Sequence, residues 1–413
     1  MKVLVIGKGG REHAIAHAAS RSKKVTKVFV APGNVGMCDI ATCVQVSDQD
    51  VAGLVAFAKQ EQIDLTIVGP EASLSLGVVD AFQEAGLKIF GPSKAATQLE
   101  ASKDFTKRLM AKYHVPTAAY ATFAHYEEAA AYVKKQGVPI VIKEDGLKAG
   151  KGVTVAMTME DALEALDIAF ALPQNKVVIE EYLEGFEFSL LCFACGTTLI
   201  PMEIAQDHKR AYDNDAGPNT GGMGVYSPVK KITKEIVEET MQTIMYPVAE
   251  AMVKEGCPFT GFLYGGLMLT KEGVKVIEFN ARFGDPEAEV ILPRLESDFI
   301  EVIEAVMEQR EMELQWDPQV TLGVVLASTN YPASSTKGAV VKGCEEVEEL
   351  LYHMGTDEKD GQLITAGGRV LIVVGKGDTL EEAYEKTYAD VRKIKSDALF
   401  YRNDIGKKDM AEK

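Results

Sequence analysis

The sequence predicts an α/β protein in three parts: an N-terminal doubly wound parallel sheet, central α+β domains, and a strand-rich C-terminal domain. Two observations carry this. In the first hundred residues, short apolar runs alternate with helix-length segments, and each run closes on Gly or Pro. From Leu322 onward the pattern is mostly strand, with one last helix near 379–395. The expected boundaries are 1–100, 101–321 with a small subdomain at about 115–186, and 322–413.

Val3-Leu4-Val5-Ile6, closed by Gly7, reads as a strand buried on both faces. A helix follows over Arg11–Ala19. Val28-Phe29-Val30, Leu65–Val68 and Leu87–Phe90 repeat the strand pattern. Their turns are Pro32-Gly33-Asn34, Gly69-Pro70-Glu71 and Gly91-Pro92-Ser93, at the carboxyl ends where open parallel sheets bind ligands. Beyond them come a helix over Ser102–Tyr113, a strand Ile140–Lys143, a strand at 153–157, a helix near 159–171 and a strand Val177–Glu181. These compose an antiparallel sheet with helices on one side. A long polar loop is expected at 206–228, a helix near 233–255, a strand over Val274–Asn280, and a frayed polar end from Lys407 to Lys413.

The 413 residues suffice for two to four domains. Apolar residues make up 46% and charged residues 25%, which excludes a disordered or collagenous chain. No window reaches the ~18 apolar residues of a membrane helix, and the start MKVLVIGKGG does not read as a signal peptide. Lys plus Arg is 44 against 61 Asp plus Glu, a net charge of −17, so neither nucleic acid nor an anionic membrane is an expected partner. Six cysteines form no disulfide framework, which fits a reducing cytoplasm. Cys192 and Cys195 make a C-x-x-C inside an apolar run, read as buried strand, since no second pair completes a zinc site.

Four segments carry chemistry. Gly7-Lys8-Gly9-Gly10-Arg11-Glu12-His13 begins like a dinucleotide fingerprint. Yet Glu12 holds the third glycine position, and no acidic residue stands near position 31 to grip a ribose. The turn is left with two readings: a phosphorylated substrate at a helix start, or a tight turn without ligand. Asp145 to Val153 holds three glycines and two lysines between two strands, which suits a flap over phosphates or a mobile hairpin. Lys143 ends the strand before it and offers a point charge to a phosphate, or a surface lysine. On the strand ending at Asn280, Glu278 and Asn280 share a face and form a hard-oxygen pair suited to Mg²⁺, and Arg282 follows on that face. The fourth segment, Gln206 to Arg210 with Asp213, Asp215 and Gly217–Gly224, is dense in Gly, Asn and charge, as functional loops are. His208 there lacks a local Ser or Cys partner.

Lys143 before a Gly-rich loop, Glu180-Glu181-Tyr182-Leu183-Glu184-Gly185, and Glu278-Phe279-Asn280 together resemble the ATP-grasp fold. More specific segments resemble the phosphoribosylamine–glycine ligase family: Gly9–His13, Ala31–Asn34, Val68–Glu71, Gln206–Arg210, Gly217–Gly224, Phe279–Glu287 and Ala366–Val370. The resemblance implies central ATP-grasp domains and ATP-driven joining of glycine to 5-phosphoribosylamine through glycyl phosphate. It implies ATP contacts at Lys103, Lys143, Gly146, Gly150, Lys151, Gly152, Glu180, Leu183 and Glu187, and Mg²⁺, or Mn²⁺, on Glu278 and Asn280. Gly9, Gly10, Arg11, Glu12, Pro70, Glu71, Asp213, Asn219, Thr220, Gly221 and Gly222 would take the other substrates. Arg282, Lys143, Asp207 and Lys209 would act in catalysis, and the chain would be a monomer. The chain departs from the family pattern at Ser73, Glu144, Phe186 and Glu289. Against a different ATP-grasp enzyme stand the 206–224 residues, and against a non-catalytic nucleotide-binding protein stands the Glu278/Asn280/Arg282 set.

Overall fold

The computed structural model describes residues 1–147, 152–171 and 175–411. Strands β1 (Lys2–Gly7), β2 (Lys27–Pro32), β3 (Thr42–Cys43), β4 (Leu65–Val68) and β5 (Ile89–Phe90) form a parallel sheet ordered β3-β2-β1-β4-β5. The continuous apolar run of β1 explains its central place. Leu4 and Ile6 enter one core while Val3 and Val5 enter another, and all four have no exposure. Helix α1 (Gly10–Ser20) leaves the carboxyl end of β1.

Strands β6 (Tyr120–Phe123), β7 (Ile140–Glu144), β8 (Val153–Ala156) and β9 (Val177–Glu181) make an antiparallel sheet ordered β6-β9-β7-β8. Ile140, Ile142, Val177 and Ile179 pack into a small core with the helices Tyr126–Gln136 and Met159–Ala169. Strand alternation then turns Val141, Lys143 and Glu180 the other way, onto a cleft. The flap residues Gly150 and Lys151 lie outside the described residues.

A second antiparallel sheet is ordered β11-β10-β16-β17, from β10 (Phe186–Cys195), β11 (Thr198–Pro201), β16 (Thr260–Thr270) and β17 (Gly273–Asn280). Cys192 is buried in β10 as expected. The expected loop at 206–228 is instead built of four short strands: β12 (Gln206–Asp207), β13 (Arg210–Tyr212), β14 (Ala216–Asn219) and β15 (Gly224–Ser227). β13 and β14 pair with each other and β12 pairs with β15, while β15 finds its other partner far along the chain. β15 pairs with β18 (Val320–Ser328), and the C-terminal sheet runs β12-β15-β18-β22-β19, with β19 at Leu350–His353, β22 at Arg369–Gly377 and β23 (Leu399–Phe400) beside β18. β20 (Thr356–Lys359) and β21 (Gln362–Thr365) form a separate hairpin.

Two further expectations change. The helix near 233–255 holds a π segment, Met241–Met245, just before Pro247. Pro247 has no N–H to give and its ring crowds the preceding turn, which a wider turn relieves. The tail expected to fray is helical over Lys407–Ala411, and Lys408 pairs with Asp215. Among the described residues no helix is long and apolar enough to cross a membrane.

Candidate active site

The two antiparallel sheets and the carboxyl ends of β1 and β4 enclose a cleft of about 980 Å³. It gathers residues from all parts of the chain. Arg11 and Glu71 line one end. Lys103, Lys143, Gly146, Gly152, Glu180, Leu183 and Glu187 line the other. Asp207, Lys209, Asn219, Thr220, Gly221, Glu278, Asn280 and Arg282 lie along the wall.

At the nucleotide-sized end, Glu180 stands between two lysines. Its oxygens are 3.0 Å from Lys143 Nζ and 3.0 Å from Lys107 Nζ. Lys143 Nζ also donates to Ile277 O at 2.9 Å, and Lys107 Nζ to Thr117 Oγ1 at 2.8 Å. Burial pulls Lys107 down to about 8, against the partial support of Glu180. Burial likewise lowers Lys103, whose Nζ donates to Gly146 O at 2.9 Å. Lys103 and Lys107 sit one turn apart on the helix Lys103–Lys112, so both face the cleft.

Glu278 and Asn280 share a face of β17, as alternation requires. Burial would raise Glu278, but Lys209, Lys143, Arg282 and Lys103 hold it below its ordinary value. An ionised carboxylate beside an amide oxygen, ringed by phosphate-seeking cations, fits a Mg²⁺ ion that completes its shell with phosphate oxygens and water. Among the described residues no group of three or more His, Cys, Asp or Glu offers a self-sufficient metal cage.

At the opposite end the charges are already paired. Arg11 Nε lies 2.6 Å from Glu12 Oε1, and its Nη1 donates to Phe283 O at 3.2 Å. Arg282 Nη2 lies 3.2 Å from Glu100 Oε1, and its Nε 3.6 Å from Glu71 Oε2. Burial would lower both guanidiniums, yet their glutamates keep them above the ordinary value. Glu12 also accepts the Gly9 N–H at 2.6 Å. Its side chain fills the space that a Cβ at Gly7 or Gly69 would take, at 2.4 and 2.0 Å. The glycine of this turn thus makes room for Glu12.

Asp207 adjoins the wall. Burial and the neighbouring Glu287 push its carboxyl well up, with Lys209 opposing, and its Oδ1 has no hydrogen-bond partner among the described residues. Gly222, at φ +118°, lets it in: a Cβ there would lie 2.6 Å from Asp207 Oδ1. Glu287 accepts from Ser189 Oγ and Tyr264 OH, each at 2.9 Å. Lys209 Nζ lies 2.6 Å from Glu187 and 3.8 Å from Glu278.

Not every sequence candidate reaches the cleft. Asp213 is held outside its lining, both oxygens taken by Asn403 at 2.7 and 3.1 Å. Gly9, Gly10, Glu12, Pro70 and Gly222 stand behind lining residues. His208 accepts from Gly406 N at Nε2 and meets Gly224 O at Nδ1, and burial brings it down to about 4, so it stays neutral. Two departures find partners: Ser73 Oγ donates to Asp48 O at 2.6 Å, and Lys231 Nζ sits 4.8 Å over the Phe186 ring.

Sequence reasoning missed Lys107, Glu100, Tyr264, Glu287 and Arg369. For Lys107 the helical spacing from Lys103 was a usable signal. Arg369 Nη1 donates to Gly221 O and Asp285 O, each at 2.8 Å, and Tyr331 OH accepts from Gly221 N at 2.9 Å.

Comparison with known proteins gives a consistent picture. Residues 1–100 match the phosphoribosylglycinamide synthetase N domain, 101–288 its ATP-grasp (A) domain, and 321–408 its C domain. A phosphoribosylamine–glycine ligase of Halalkalibacterium halodurans is 54% identical over 100% of this chain and 98% of its own length. One of Vibrio parahaemolyticus is 50% identical over 98% of each. The crystal structure of phosphoribosylamine–glycine ligase from Thermotoga maritima superposes with a TM-score of 0.85 at 33% identity, over 98% of this chain and 100% of that one. A biotin carboxylase domain from Hydrogenobacter thermophilus, at 16% identity and TM-score 0.69, shares the fold.

Proposed function

The chain belongs to the phosphoribosylglycinamide synthetase family, and we propose how its own residues divide the reaction. It is an ATP-dependent ligase that joins glycine to 5-phosphoribosylamine in purine biosynthesis. The observation that carries the assignment of roles is Glu278 and Asn280 on one strand face, with Lys103, Lys143, Lys209 and Arg282 gathered around Glu278.

In the first step an oxygen of the glycine carboxylate attacks the γ-phosphorus of ATP. The bond to ADP breaks and glycyl phosphate forms. Lys103 and Lys143 supply positive charge to the phosphates, and Arg282 stabilises the transferring group. Glu180 and Leu183 hold the adenine edge. Glu187 exchanges Lys209 for the ribose hydroxyls. Glu278 and Asn280 hold Mg²⁺ or Mn²⁺, which when bound neutralises charge on the phosphate oxygens. Gly146 and Gly152 line the cleft beside the phosphates, where exclusion of water protects the acyl phosphate.

In the second step the amine of phosphoribosylamine attacks the carbonyl carbon, the bond to phosphate breaks, and the nitrogen loses a proton. Asp207 Oδ1 takes that proton, being unpartnered and beside Glu287. Lys209, Asn219, Thr220, Gly221 and Gly222 shape the pocket around the reacting amine, and Asp213 supports it from behind through Asn403. The turns Gly9-Gly10-Arg11-Glu12 and Pro70-Glu71 take the sugar phosphate. Residues 1–100 thus serve the sugar, 101–321 the nucleotide, and 322–413 cover the amine pocket. The chain works as a monomer in the cytoplasm, with six free thiols.

The test is ADP release with ATP and Mg²⁺, with and without glycine and fresh phosphoribosylamine. Release that needs both, with one phosphate per ligation, is expected. Release indifferent to glycine overturns the reading. Asp207→Asn should lower kcat by about 10²–10⁴-fold. It should also remove the acid limb of the pH profile, because a base loses activity as pH falls through its raised value.

A further inference from the structure

Two thiols touch at the base of the segment that follows β2. Cys38 Sγ and Cys43 Sγ lie 3.3 Å apart. Cys38 is exposed, Cys43 is half-buried, and both are free. Both thiols face one acceptor, Asn34 O, at 3.8 and 3.5 Å. Cys43 also presses on Gly33, where a Cβ would lie 2.9 Å from its sulfur. The side chain of Asn34 binds outward: Nδ2 donates to Lys8 O at 2.7 Å and to His353 O at 2.9 Å. The segment therefore ties the turn after β1 to β19, with the thiol pair beneath the tie.

The more conspicuous C-x-x-C cannot do the same. Cys192 and Cys195 are three residues apart on β10, so they point to opposite faces. Cys192 Sγ contacts Met241 Sδ, and Cys195 Sγ accepts from Thr260.

We propose that Cys38 and Cys43 are a redox modification site, an exchangeable dithiol whose oxidant is a small-molecule disulfide such as oxidised glutathione. The exposed Cys38 thiolate attacks one sulfur of that disulfide, forming a mixed disulfide and releasing one thiolate. Cys43 then loses its proton to solvent and attacks Cys38 Sγ, and the second small thiol leaves. The two protein thiols give up two electrons and two protons, and the small disulfide becomes two thiols. Burial first, then the Cys38 thiol, pushes Cys43 up to about 12. Capping Cys38 removes the second contribution, so the resolving thiol ionises more readily after the first step. Bonding closes the 3.3 Å gap to about 2.05 Å. The exposed Cys38 end makes that movement, and the bond removes both S–H donors from Asn34 O, the backbone of the residue whose Nδ2 holds Lys8 O.

The experiment equilibrates the full-length enzyme across ratios of reduced to oxidised glutathione, quenches with acid, alkylates, and maps peptides by mass. A Cys38–Cys43 linked peptide is expected in the wild type, a glutathione adduct at Cys38 in C43S, and neither in C38S. An adduct at Cys38 that never resolves in the wild type, a linkage through other cysteines, or free thiols at the most oxidised ratio each overturns the proposal. A second readout rests on the proposed function: forming the bond should raise KM for phosphoribosylamine several-fold, leave KM for ATP unchanged, and do neither in C38S. Unchanged KM values with the bond formed overturn the link to Lys8. Absence of turnover in the fully reduced enzyme would overturn the functional reading and leave the peptide map standing.

Discussion

The two ends of the cleft use the same kinds of charge in opposite states. At one end a single carboxylate, Glu180, stands between two lysines, and burial lowers Lys107 and Lys103. At the end proposed for the sugar two arginines, Arg11 and Arg282, stand among Glu12, Glu71 and Glu100 and are held above their ordinary value. The lysines are under-neutralised and await anions. Arg11 is already neutralised and acts first as a frame, whereas Arg282, paired with Glu100, keeps an Nε without a hydrogen-bond partner among the described residues. A buried charge that lacks full partners is a binding device, whereas one that has them is architecture whose removal strands its partners.

The largest expected effect breaks the frame. Arg11→Ala leaves Glu12, 2% exposed, without its cation, and should cost roughly 3–5 kcal/mol in thermal or urea unfolding. A near-neutral result would place Arg11 with the binding lysines instead. Next comes Glu278→Ala. It should lower kcat about 10²–10³-fold and abolish the Mg²⁺ dependence of turnover, with the melting curve intact. Wild-type turnover would sink the metal assignment.

Lys107→Met is the counterpart to the Arg11 change, and the sign of its pH dependence is opposite to that of a paired group. Lys107 titrates near 8 when folded, below its unfolded range. The unfolded chain therefore binds more protons above about pH 8, and stability contributed at this site rises as pH increases from there toward the ordinary lysine range. Lys107→Met should remove that rise, lose little stability at pH 7, and weaken ATP about tenfold. Equal slopes in wild type and variant, measured by denaturant unfolding between pH 7 and 10, would show that Lys107 is as fully paired as Arg11. The smallest effect is Ser73→Ala, beside Glu71. Losing its bond to Asp48 O should cost about 1 kcal/mol and leave both KM values unchanged. A shift in KM for phosphoribosylamine would mean the frame and the sugar site are less separable than their charges suggest.

Much of this was legible in the chain. The all-apolar run Val3–Ile6 read as a buried parallel strand, and the structure gives its two faces to two cores. Lys143 was readable as the lysine that ends an apolar strand, and Glu180 through the resemblance; the structure turns both away from Ile142 and Ile179 onto the cleft. The partner geometry was not readable. The glycines of the turn after β1 read as room for a phosphate, and the structure shows that the space beside Gly7 and Gly69 is taken by the Glu12 side chain. The 206–228 segment looked like loop because its strands are two to four residues long. Only β15, to which β12 pairs, is anchored on β18, about a hundred residues on, while β13 and β14 pair with each other.

By itself the sequence determined the alternation of strands and helices, the shared face of Glu278 and Asn280, and the family to which the chain belongs. Those follow from local periodicity and from motif spacing, which the covalent chain carries directly. Only the tertiary structure decided which charges are spent. It set Glu180 between Lys107 and Lys143, closed Glu12 onto Arg11, left Asp207 Oδ1 without a hydrogen-bond partner among the described residues, and brought Cys38 against Cys43. Coulomb and desolvation energies depend on distances of a few ångströms and on burial, for neighbours along the chain as well as for residues far apart in it. Such distances exist only once the sheets have packed.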